Sequence, residues 1–281
     1  MKHIFLFILL FSFLVYGSKE DLVYEISYGT NQKQKIDFYR GDSKKVLVWI
    51  HGGGWLYGDK RADRWIRRFE NHFIDYKNLN LYMIGYRVGE ATAPNAVDDV
   101  ICAYKKIVDE VILNGFSKDD IVVAGASAGG HLALMLAFSN NYINQACSVE
   151  IRPKAVINLF GITDIEKTYT FLDKTKFFKA SNYVKGWIPP EASLFEVSKR
   201  LSPINLIDKN APDILTIHGT SDRWVPYEQA LLLEESLGEK HQLLTIEGGG
   251  HYYFSDEEDE LIRQTISSFL EKNYKNKSEP S

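Results

Sequence analysis

One serine of the chain lies where an apolar run meets a glycine-rich run. The segment "IVVAGASAGGHLALML" spans residues 121–136, and Ser127 stands in it within the pattern G-x-S-x-G. A serine between a strand and a helix can sit on a sharp turn that lifts its hydroxyl above the sheet. Glycines two positions before and after it leave room for the neighbouring strand and helix, which an ordinary turn would not require. We therefore predict that Ser127 is a nucleophile, with a plain strand-to-helix turn as the alternative.

A second glycine-rich segment could supply the donors that stabilise negative charge during attack by a serine. A serine hydroxyl is a poor nucleophile unless a base accepts its proton and donors stabilise the oxyanion that forms. The segment "HGGGW", residues 51–55, directly follows a predicted strand, and its glycines let backbone N–H groups turn toward a ligand. We predict an oxyanion hole made by the amides of Gly53, Gly54 and Ala128. A phosphate-binding loop is the alternative, but neither a G-K-[S/T] nor a G-x-G-x-x-G pattern accompanies the segment.

The base and the acid are expected late in the chain. On scaffolds where a nucleophilic serine follows a strand in this way, the order along the chain is serine, acid, histidine. His251 follows the last predicted strand on a glycine-rich loop, and Asp222 follows the strand before it. We predict that His251 is the base and that Asp222 holds its imidazole in the right tautomer. Asp164 also follows a strand and is the rival acid.

The other histidines are interpreted as structural. His51 opens the glycine segment and is expected to brace it, while His131 lies one helical turn beyond the serine. His218 is embedded at a strand end, where a buried core histidine is expected. His72 and His241 have no glycine or strand context and are predicted to lie on the surface.

The elements that would bring these residues together alternate between strands and helices. Continuous apolar runs predict strands buried on both faces, and regularly spaced apolar residues predict amphipathic helices. The predicted strands are residues 22–29, 34–41, 44–51, 79–87, 120–127, 154–161, 213–219 and 242–248, and the predicted helices are 96–111, 128–138 and 256–273. The first two strands are expected to be antiparallel. The alternation implies an α/β fold with a mostly parallel central sheet and helices on both faces.

Residues 162–200 interrupt this alternation. The stretch is longer than an ordinary connection, is rich in aromatic residues and includes "WIPP". Long segments inside a compact domain usually carry function or short helices of their own. We expect one domain over residues 18–281 with a small cap insertion around 162–200. The aromatic residues there, together with Trp55 and Trp224, are candidates to line a substrate pocket, and ordinary core packing is the alternative.

The first 17 residues have the layout of a secretory signal peptide. Lys2 precedes an apolar run from Ile4 to Val15, and small residues follow at Gly17 and Ser18. The run is shorter than the roughly 20 apolar residues that a spanning helix needs. We therefore predict cleavage, and a secreted or periplasmic protein without a stable membrane anchor. An uncleaved anchor is the alternative.

Composition excludes one class of partner and leaves the redox state open. A net charge of −4 provides no basic surface of the kind that binds nucleic acid. The two cysteines, Cys102 and Cys147, lack the spacing of a metal site, but an oxidising compartment could join them in one disulfide. The sequence does not provide the distance that decides whether they pair.

Five segments carry a family resemblance. They are "VLVWIHGGGWLYGDK" (46–60), "AVDDVICAYKKIVDE" (96–110), "DIVVAGASAGGHLALMLA" (120–137), "ILTIHGTSDRWVPYEQA" (214–230) and "GGGHYYF" (248–254). Together they resemble the α/β-hydrolase superfamily, in its hormone-sensitive-lipase-like and feruloyl-esterase-like (BD-FAE type) branch of serine esterases. The resemblance implies a triad of Ser127, Asp222 and His251, an oxyanion hole, no cofactor, and hydrolysis of carboxylic esters through an acyl-enzyme.

The N-terminal region departs from the pattern of the lipase-like members. Those members often carry a longer helical cap there, whereas few residues separate the predicted signal from the first central strand of this chain. The difference favours small or sugar-borne esters over long-chain lipids as substrates. Amidases, formamidases and peptidases use the same triad and remain alternatives, as does a binding protein without activity.

Overall fold

A mixed sheet forms the centre of the protein. The computed structural model describes residues 22–73, 78–142, 147–175 and 182–274. The strands within these ranges are β1 (Leu22–Ser27), β2 (Lys35–Tyr39), β3 (Val46–Ile50), β4 (Asn80–Ile84), β5 (Ile121–Ala126), β6 (Ala155–Leu159), β7 (Asp213–Gly219) and β8 (His241–Ile246). They are hydrogen-bonded in the order β1-β2-β4-β3-β5-β6-β7-β8. Since β2 is antiparallel to both neighbours and the other pairs are parallel, the predicted mostly parallel sheet is confirmed.

Helices cover both faces of this sheet. Within the described ranges they are α1 (Asp63–Phe73), α2 (Asn95–Leu113), α3 (Ala128–Ala137), α4 (Ile165–Lys174), α5 (Tyr183–Trp187), α6 (Leu194–Leu201), α7 (Glu228–Leu237) and α8 (Asp256–Tyr274). The predicted helices correspond to α2, α3 and α8. Trp65 of α1 and Ile262 of α8 share one hydrophobic cluster, whereas Val100 of α2 and Leu132 of α3 belong to another.

The side chains of β3 alternate between the two hydrophobic clusters. Leu47 and Trp49 join the cluster under α1 and α8, and Val48 and Ile50 join the cluster under α2 and α3. Every residue of β3 is buried. Burial on both faces is the reason that the strand has a continuous apolar sequence instead of an alternating one.

Short helices occupy much of the aromatic stretch at 162–200. The helices α4 and α5 lie within it and α6 ends just beyond it, and Tyr183 and Trp187 of α5 are buried. The predicted signal peptide, residues 1–17, lies outside the described residues. Among the helices that the structure does describe, none combines the length and the apolar character needed to cross a bilayer.

A disulfide joins Cys102 of α2 to Cys147. The two Cα atoms are 5.2 Å apart, a distance that a disulfide spans without backbone movement. The bridge ties α2 to the segment that leads into β6. The pairing that the sequence left open is thereby decided.

Loops of the sheet meet at one edge. The segments after β3, β5, β7 and β8 contain, in turn, the glycine segment, Ser127, Asp222 and His251. Neighbouring parallel strands present their carboxyl ends at the same edge, where α/β proteins bind ligands. The strand order therefore brings residues that are far apart in the chain to a common site.

Candidate active site

Ser127 occupies a strained turn between β5 and α3. Its backbone angles are φ 57° and ψ −122°, a region that residues other than glycine rarely adopt. The Ser127 N–H donates to the carbonyl of Leu159 at 2.9 Å, and the Ser127 carbonyl accepts from the N–H of His131 at 3.0 Å. These bonds hold the turn between β6 and α3, in the strand-to-helix setting that the sequence predicts.

Close backbone contacts require glycines on both sides of Ser127. A Cβ atom on Gly125 would collide with the carbonyl of Gly129, and one on Gly129 would collide with the carbonyl of Ile50. A Cβ atom on Gly130 would press against the side chain of Asn158. The prediction that these glycines leave room for the neighbouring strand and helix is confirmed.

The side chains of Ser127, His251 and Asp222 form a continuous hydrogen-bonded chain. His251 Nε2 lies 3.0 Å from Ser127 Oγ, and His251 Nδ1 lies 2.6 Å from Asp222 Oδ2. All three residues are buried. With Nδ1 protonated and donating to the carboxylate, Nε2 carries the lone pair that can accept the hydroxyl proton. The arrangement is chemically able to activate a serine.

The surroundings of Asp222 stabilise its ionised form. Its Oδ1 accepts from the N–H groups of Trp224 at 2.8 Å and Val225 at 3.0 Å, and its Oδ2 lies 3.3 Å from His218 Nε2. Burial by itself raises the pKa of Asp222, but His251 and His218 lower that pKa well below its ordinary value. An ionised carboxylate is the form that orients an imidazole and stabilises an imidazolium.

Aromatic rings enclose the imidazole of His251. The ring centre of Phe160 lies 4.6 Å from that of His251, and the ring centre of Tyr252 lies 4.4 Å from it. Burial lowers the pKa of His251 below its ordinary value, and Asp222 opposes only part of that effect. The imidazole is therefore neutral at pH 7 and can act as a base.

The glycine segment after β3 has a backbone that other residues would not adopt. Gly53 has φ 125° and Gly54 has φ 61°, and a Cβ atom on Gly53 would collide with the carbonyl of Tyr57. Within the described part of the chain, no acceptor pairs with the backbone N–H of Gly53, Gly54 or Ala128. These donors are therefore available to an oxyanion at Ser127.

His51 braces the start of this segment, as the sequence predicts. Its Nδ1 lies 2.8 Å from the carbonyl of Gly52, and its ring stacks on Tyr86 with the ring centres 4.2 Å apart. The Tyr86 hydroxyl donates to the His51 carbonyl at 2.8 Å. Burial lowers the pKa of His51 to about 4, so this ring stays neutral near pH 7.

A cleft of about 1090 Å³ contains the candidate nucleophile and base. Ser127 and His251 line it together with Gly53 and Gly54. Exposed aromatic side chains also line it: Tyr57, Trp224, Tyr252 and Tyr253. The volume is that of an ordinary small-molecule site, with flat apolar surfaces close to the reactive atoms.

The two tryptophans predicted to line the pocket lie in different places. Trp224 lines the cleft. Trp55 is fully buried, its ring stacks on Trp187 at 4.3 Å, and its Nε1 donates to His131 Nδ1 at 3.2 Å. Because its indole turns toward α3 and α5, Trp55 lies in the core and not among the residues that line the cleft.

The rival acid has a different role in the structure. Asp164 is the N-cap residue of α4, and its side chain accepts from the N–H of Lys167 at 3.0 Å. The imidazole of His251 is hydrogen-bonded to Asp222 instead. Nor do the described residues include a group of three or more His, Cys, Asp or Glu side chains arranged to hold a metal ion.

His131 and His218 lie in the core, as expected, but His72 does not lie on the surface. His131 Nε2 lies 2.7 Å from the carbonyl of Leu201, and His218 is fully buried. The prediction that His72 lies on the surface is wrong, because α8 covers it and its Nε2 lies 2.9 Å from Asp259 Oδ1. His241 is half-buried against Thr216.

Three arginines of α1 line the cleft, and they were not predicted from the sequence. The side chains concerned are those of Arg64, Arg67 and Arg68. They lie in or beside the run "WIRRFENHF", residues 65–73, where Trp65, Phe69 and Phe73 recur at every fourth position. That spacing is the signal of a helix with one apolar face, and it could have placed the arginines beside the buried face.

The chain is similar to several proteins named as esterases. It is 27% identical over 242 residues to esterase LipC of Mycobacterium tuberculosis, which covers 80% of this chain and 58% of that protein. The solved bifunctional GH43-CE structure from Bacteroides eggerthii is 26% identical, with a TM-score of 0.68 over 89% of this chain and 38% of that one. A truncated carbohydrate esterase from gut microbiota has the same fold, with a TM-score of 0.67 at 19% identity over 91% of this chain and 98% of that one. The chain spans about half the length of the curated relatives it matches.

A family model covers most of the fold and the range that contains most of the candidate site residues. The BD-FAE model matches residues 36–237, a range that contains the glycine segment, Ser127 and Asp222. His251 lies beyond the matched range, but the structure brings its imidazole to Ser127. On the matched sequence, together with the sheet order and the turn at Ser127, the chain belongs to the BD-FAE family and has the α/β-hydrolase fold.

Proposed function

We propose that the protein is a serine carboxylesterase that hydrolyses small or sugar-borne carboxylic esters through an acyl-enzyme on Ser127. The observation that carries the proposal is the hydrogen-bonded chain from Ser127 through His251 to Asp222. The N–H donors of the glycine segment, in the same cleft, supply the second requirement of the chemistry. The similarity in sequence to esterase LipC supports the same reaction class.

The first half-reaction forms the acyl-enzyme. Ser127 Oγ attacks the ester carbonyl carbon while His251 Nε2 accepts the hydroxyl proton. The carbonyl oxygen becomes an oxyanion and is held by the N–H groups of Gly53, Gly54 and Ala128. Each donor of this kind typically lowers the barrier by about 3 kcal/mol. His251 then gives its proton to the leaving oxygen, and the alcohol departs.

The second half-reaction returns the enzyme to its starting state. Water attacks the acyl carbon while His251 accepts one of its protons, and the same N–H donors hold the new oxyanion. Ser127 Oγ leaves and takes the proton from His251, and the carboxylic acid is released. Asp222 stays ionised and stabilises the imidazolium in both halves. The cycle uses no cofactor.

The shape of the cleft supports a small or sugar-borne substrate. Its exposed aromatic side chains present flat apolar faces with polar tips, on which the ring of a sugar can pack. Trp224 and Tyr253 are the most accessible tryptophan and tyrosine at the cleft, with 40% and 88% of their surfaces exposed. A relative in fold is named as a carbohydrate esterase, which favours the same kind of alcohol here.

The helices α4 to α6 are proposed to form a small cap beside the cleft. Tyr183 of α5 lines the cleft, and its hydroxyl donates to the carbonyl of Trp224 at 2.9 Å. This contact links the stretch at 162–200 to the loop that carries Asp222. We expect substitutions in α5 to change the substrate range of the enzyme more than its fold.

Residues 1–17 are proposed to be a cleaved secretion signal. The disulfide between Cys102 and Cys147 supports export, because disulfides persist in oxidising compartments and are rare in the cytosol. N-terminal sequencing of the mature protein should read from Ser18. A sequence that starts at Met1 would contradict cleavage.

Turnover of 4-nitrophenyl acetate tests the proposed function. The wild-type protein should hydrolyse the ester, and Ser127→Ala should lower kcat about a thousandfold or more because the attacking atom is gone. Thermal unfolding of the variant should match that of the wild type, which excludes loss of the fold as the cause. Retained turnover in Ser127→Ala would contradict the mechanism.

A matched amide separates the esterase from the other enzymes that use this triad. 4-Nitroacetanilide carries the same acyl group on a nitrogen leaving group. The proposal expects a much higher kcat/KM for the acetate ester than for the anilide. A preference for the anilide would assign the site to an amidase.

A further inference from the structure

The cleft carries positive charge although the chain as a whole is acidic. The net charge of the chain is −4, but arginines of α1 line the cleft: Arg64, Arg67 and Arg68. The carboxylates that line it already have partners. Asp63 Oδ2 lies 3.7 Å from Arg67 Nη2, and Asp259 Oδ1 lies 2.9 Å from His72 Nε2. Because burial lowers the pKa of His72 and leaves its ring neutral at pH 7, Asp259 keeps its negative charge. The three arginines therefore exceed the two carboxylates that line the cleft by one positive charge.

Neither Arg64 nor Arg68 forms an ion pair with a residue that the structure describes. Among the residues that the structure describes, no carboxylate oxygen lies within 4.0 Å of either guanidinium. Arg68 is half-buried, and one of its N–H groups donates to the carbonyl of Tyr252 at 2.8 Å. Burial lowers the pKa of Arg68 from its ordinary value, and Asp259 and Asp222, which lie farther away than an ion pair, oppose only part of that effect. A bound anion would offset the rest.

Aromatic rings hold the guanidinium of Arg68 in place. Its Cζ lies 5.0 Å from the ring centre of Phe160, 5.6 Å from that of Tyr252 and 5.8 Å from that of Phe254. Stacking on rings fixes the plane of the guanidinium and leaves its remaining N–H groups in a set direction. A fork held in this way loses little freedom when it binds an anion.

Arg68 lies close to the imidazole that is proposed to protonate the leaving alcohol. The Phe160 ring contacts both residues, since its centre lies 4.6 Å from the His251 ring and 5.0 Å from Arg68 Cζ. Since both distances are measured from the Phe160 ring centre, their sum is the upper limit of the distance between Arg68 Cζ and the centre of the His251 ring. In the proposed mechanism His251 gives its proton to the leaving oxygen, so that oxygen lies beside His251, and an alcohol the size of one ring is long enough to bring a substituent to Arg68.

We propose that the preferred substrate is an ester whose alcohol carries an anionic oxygen group, such as a carboxylate, which Arg68 binds and Arg64 attracts into the cleft. The inference rests on the proposed esterase function and names the class of its alcohol. A guanidinium fork matches the paired oxygens of a carboxylate, and a sulfate or sulfonate shares that chemistry. An uncharged alcohol would leave both arginines without an ion-pair partner.

Three acetyl esters with ring alcohols of similar size test the inference. They are the acetates of 4-hydroxybenzoate, of 4-hydroxybenzenesulfonate and of the neutral 4-hydroxybenzamide. Each kcat/KM is divided by the rate of hydroxide-catalysed hydrolysis of the same ester, which removes differences in leaving-group reactivity. We expect the anionic esters to exceed the amide by about tenfold, as one charge-assisted hydrogen bond would produce. The preference should shrink as NaCl is raised.

The two anionic esters distinguish the sources of the anion. A larger ratio for the benzoate identifies a carboxylate as the group bound, and a larger ratio for the sulfonate identifies a sulfate-like group. Either result supports an anionic subsite. Ratios at or below one for both esters would overturn the inference.

Substitution of Arg68 and Arg64 tests whether these two residues cause the preference for anionic esters. Arg68→Gln should bring the ratio of anionic to neutral ester close to one, and Arg64→Gln should lower it several-fold. Arg68 also donates a hydrogen bond to the backbone of Tyr252, so its substitution could disturb the triad. Such a disturbance would lower kcat/KM for all three esters alike. The ratio of anionic to neutral ester within each variant is therefore the quantity compared. Arg64 makes no hydrogen bond to that loop in the described structure, and its variant tests the charge alone.

Arg40→Gln is the matched control. Arg40 is exposed and follows β2, whose last residue pairs with Leu81 near the start of β4, so it lies at the opposite edge of the sheet from Ser127. The variant removes the same charge and should leave the ratio unchanged. An equal fall in Arg40→Gln, or no fall in either cleft variant, would overturn the inference. Absence of Ser127-dependent turnover for all three esters would instead refute the proposed function.

Discussion

The protonation state of His251 sets the pH dependence of the proposed reaction. The base must be neutral to accept a proton, and burial lowers the pKa of His251 below the ordinary value of 6.5. The acid limb of kcat/KM for 4-nitrophenyl acetate should therefore have its midpoint below 6.5, and kcat/KM should be lost as the pH falls through the lowered pKa. A midpoint of the acid limb above 6.5 would contradict the neutral, buried imidazole.

Substitution of two carboxylates tests which one acts with His251. Asp222→Asn removes the charge and disturbs the tautomer, so kcat should fall by about 10⁴. Asp164→Asn is the matched control, because asparagine also caps helices well and Asp164 caps α4. Its kcat should stay close to that of the wild type. Similar losses in both variants would contradict the assignment of Asp222.

Single residues could be identified from the sequence where backbone geometry restricts the residue type. Glycines around Ser127 and in the "HGGGW" segment have that property, and the structure shows the contacts that require them. The sequence favours Asp222 over Asp164 because Asp222 follows the strand just before that of His251, but only the structure shows its hydrogen bond to the imidazole. Trp55 could not be placed, since the rotation of a side chain next to a glycine segment leaves no pattern in the sequence.

At the scale of elements, the turn between β5 and α3 depends on a close backbone approach. Gly129→Ala would place a Cβ atom against the carbonyls of Ile50 and His51, so the free energy of unfolding should fall by at least about 2 kcal/mol. At Gly250, a Cβ atom would have no neighbour within 4 Å. Gly250→Ala is therefore the control, with an expected change within about 0.5 kcal/mol. Urea denaturation measures both, and equal losses would contradict the contact at Gly129.

The central elements could be predicted better than the covering ones. Strands such as β3 are buried on both faces, which makes their sequences continuously apolar and easy to recognise. The helices α1 and α7 bury only one narrow face, and α7 buries little more than Gln229, Ala230 and Leu233. The apolar signal of each helix is therefore short: in α1 it consists of three aromatic residues among charged ones, and neither helix was predicted.

At the scale of the whole molecule, the disulfide should stabilise the fold without affecting the chemistry. Cys102 and Cys147 are separated by 45 residues, and closing a loop of that size lowers the entropy of the unfolded chain by an amount worth about 4 kcal/mol. The double variant Cys102→Ser, Cys147→Ser should lose stability of that order in urea denaturation. Its kcat/KM should be unchanged, because neither residue lines the cleft.

A reductant provides the control for the disulfide prediction. Dithiothreitol should lower the stability of the wild type toward that of the double variant and leave the double variant as it is. A double variant as stable as the oxidised wild type would contradict the stabilising role of the bridge.

Contacts between distant parts of the chain are what the sequence could not reveal. The disulfide joins α2 to a segment before β6, and His72 of α1 is buried by its contact with Asp259 of α8. Each depends on the sheet order, which places these elements side by side. The α/β class could be predicted from the alternation of elements, whereas these pairings needed coordinates.

Labelling with a fluorophosphonate, followed by peptide mass spectrometry, tests most directly whether Ser127 is an activated nucleophile. We predict one covalent adduct on the peptide that contains Ser127. The adduct should be absent in Ser127→Ala and should form much more slowly in His251→Ala, where the hydroxyl has lost its base. An unlabelled wild-type protein with its native thermal unfolding, or an adduct on a different serine, would contradict the assignment.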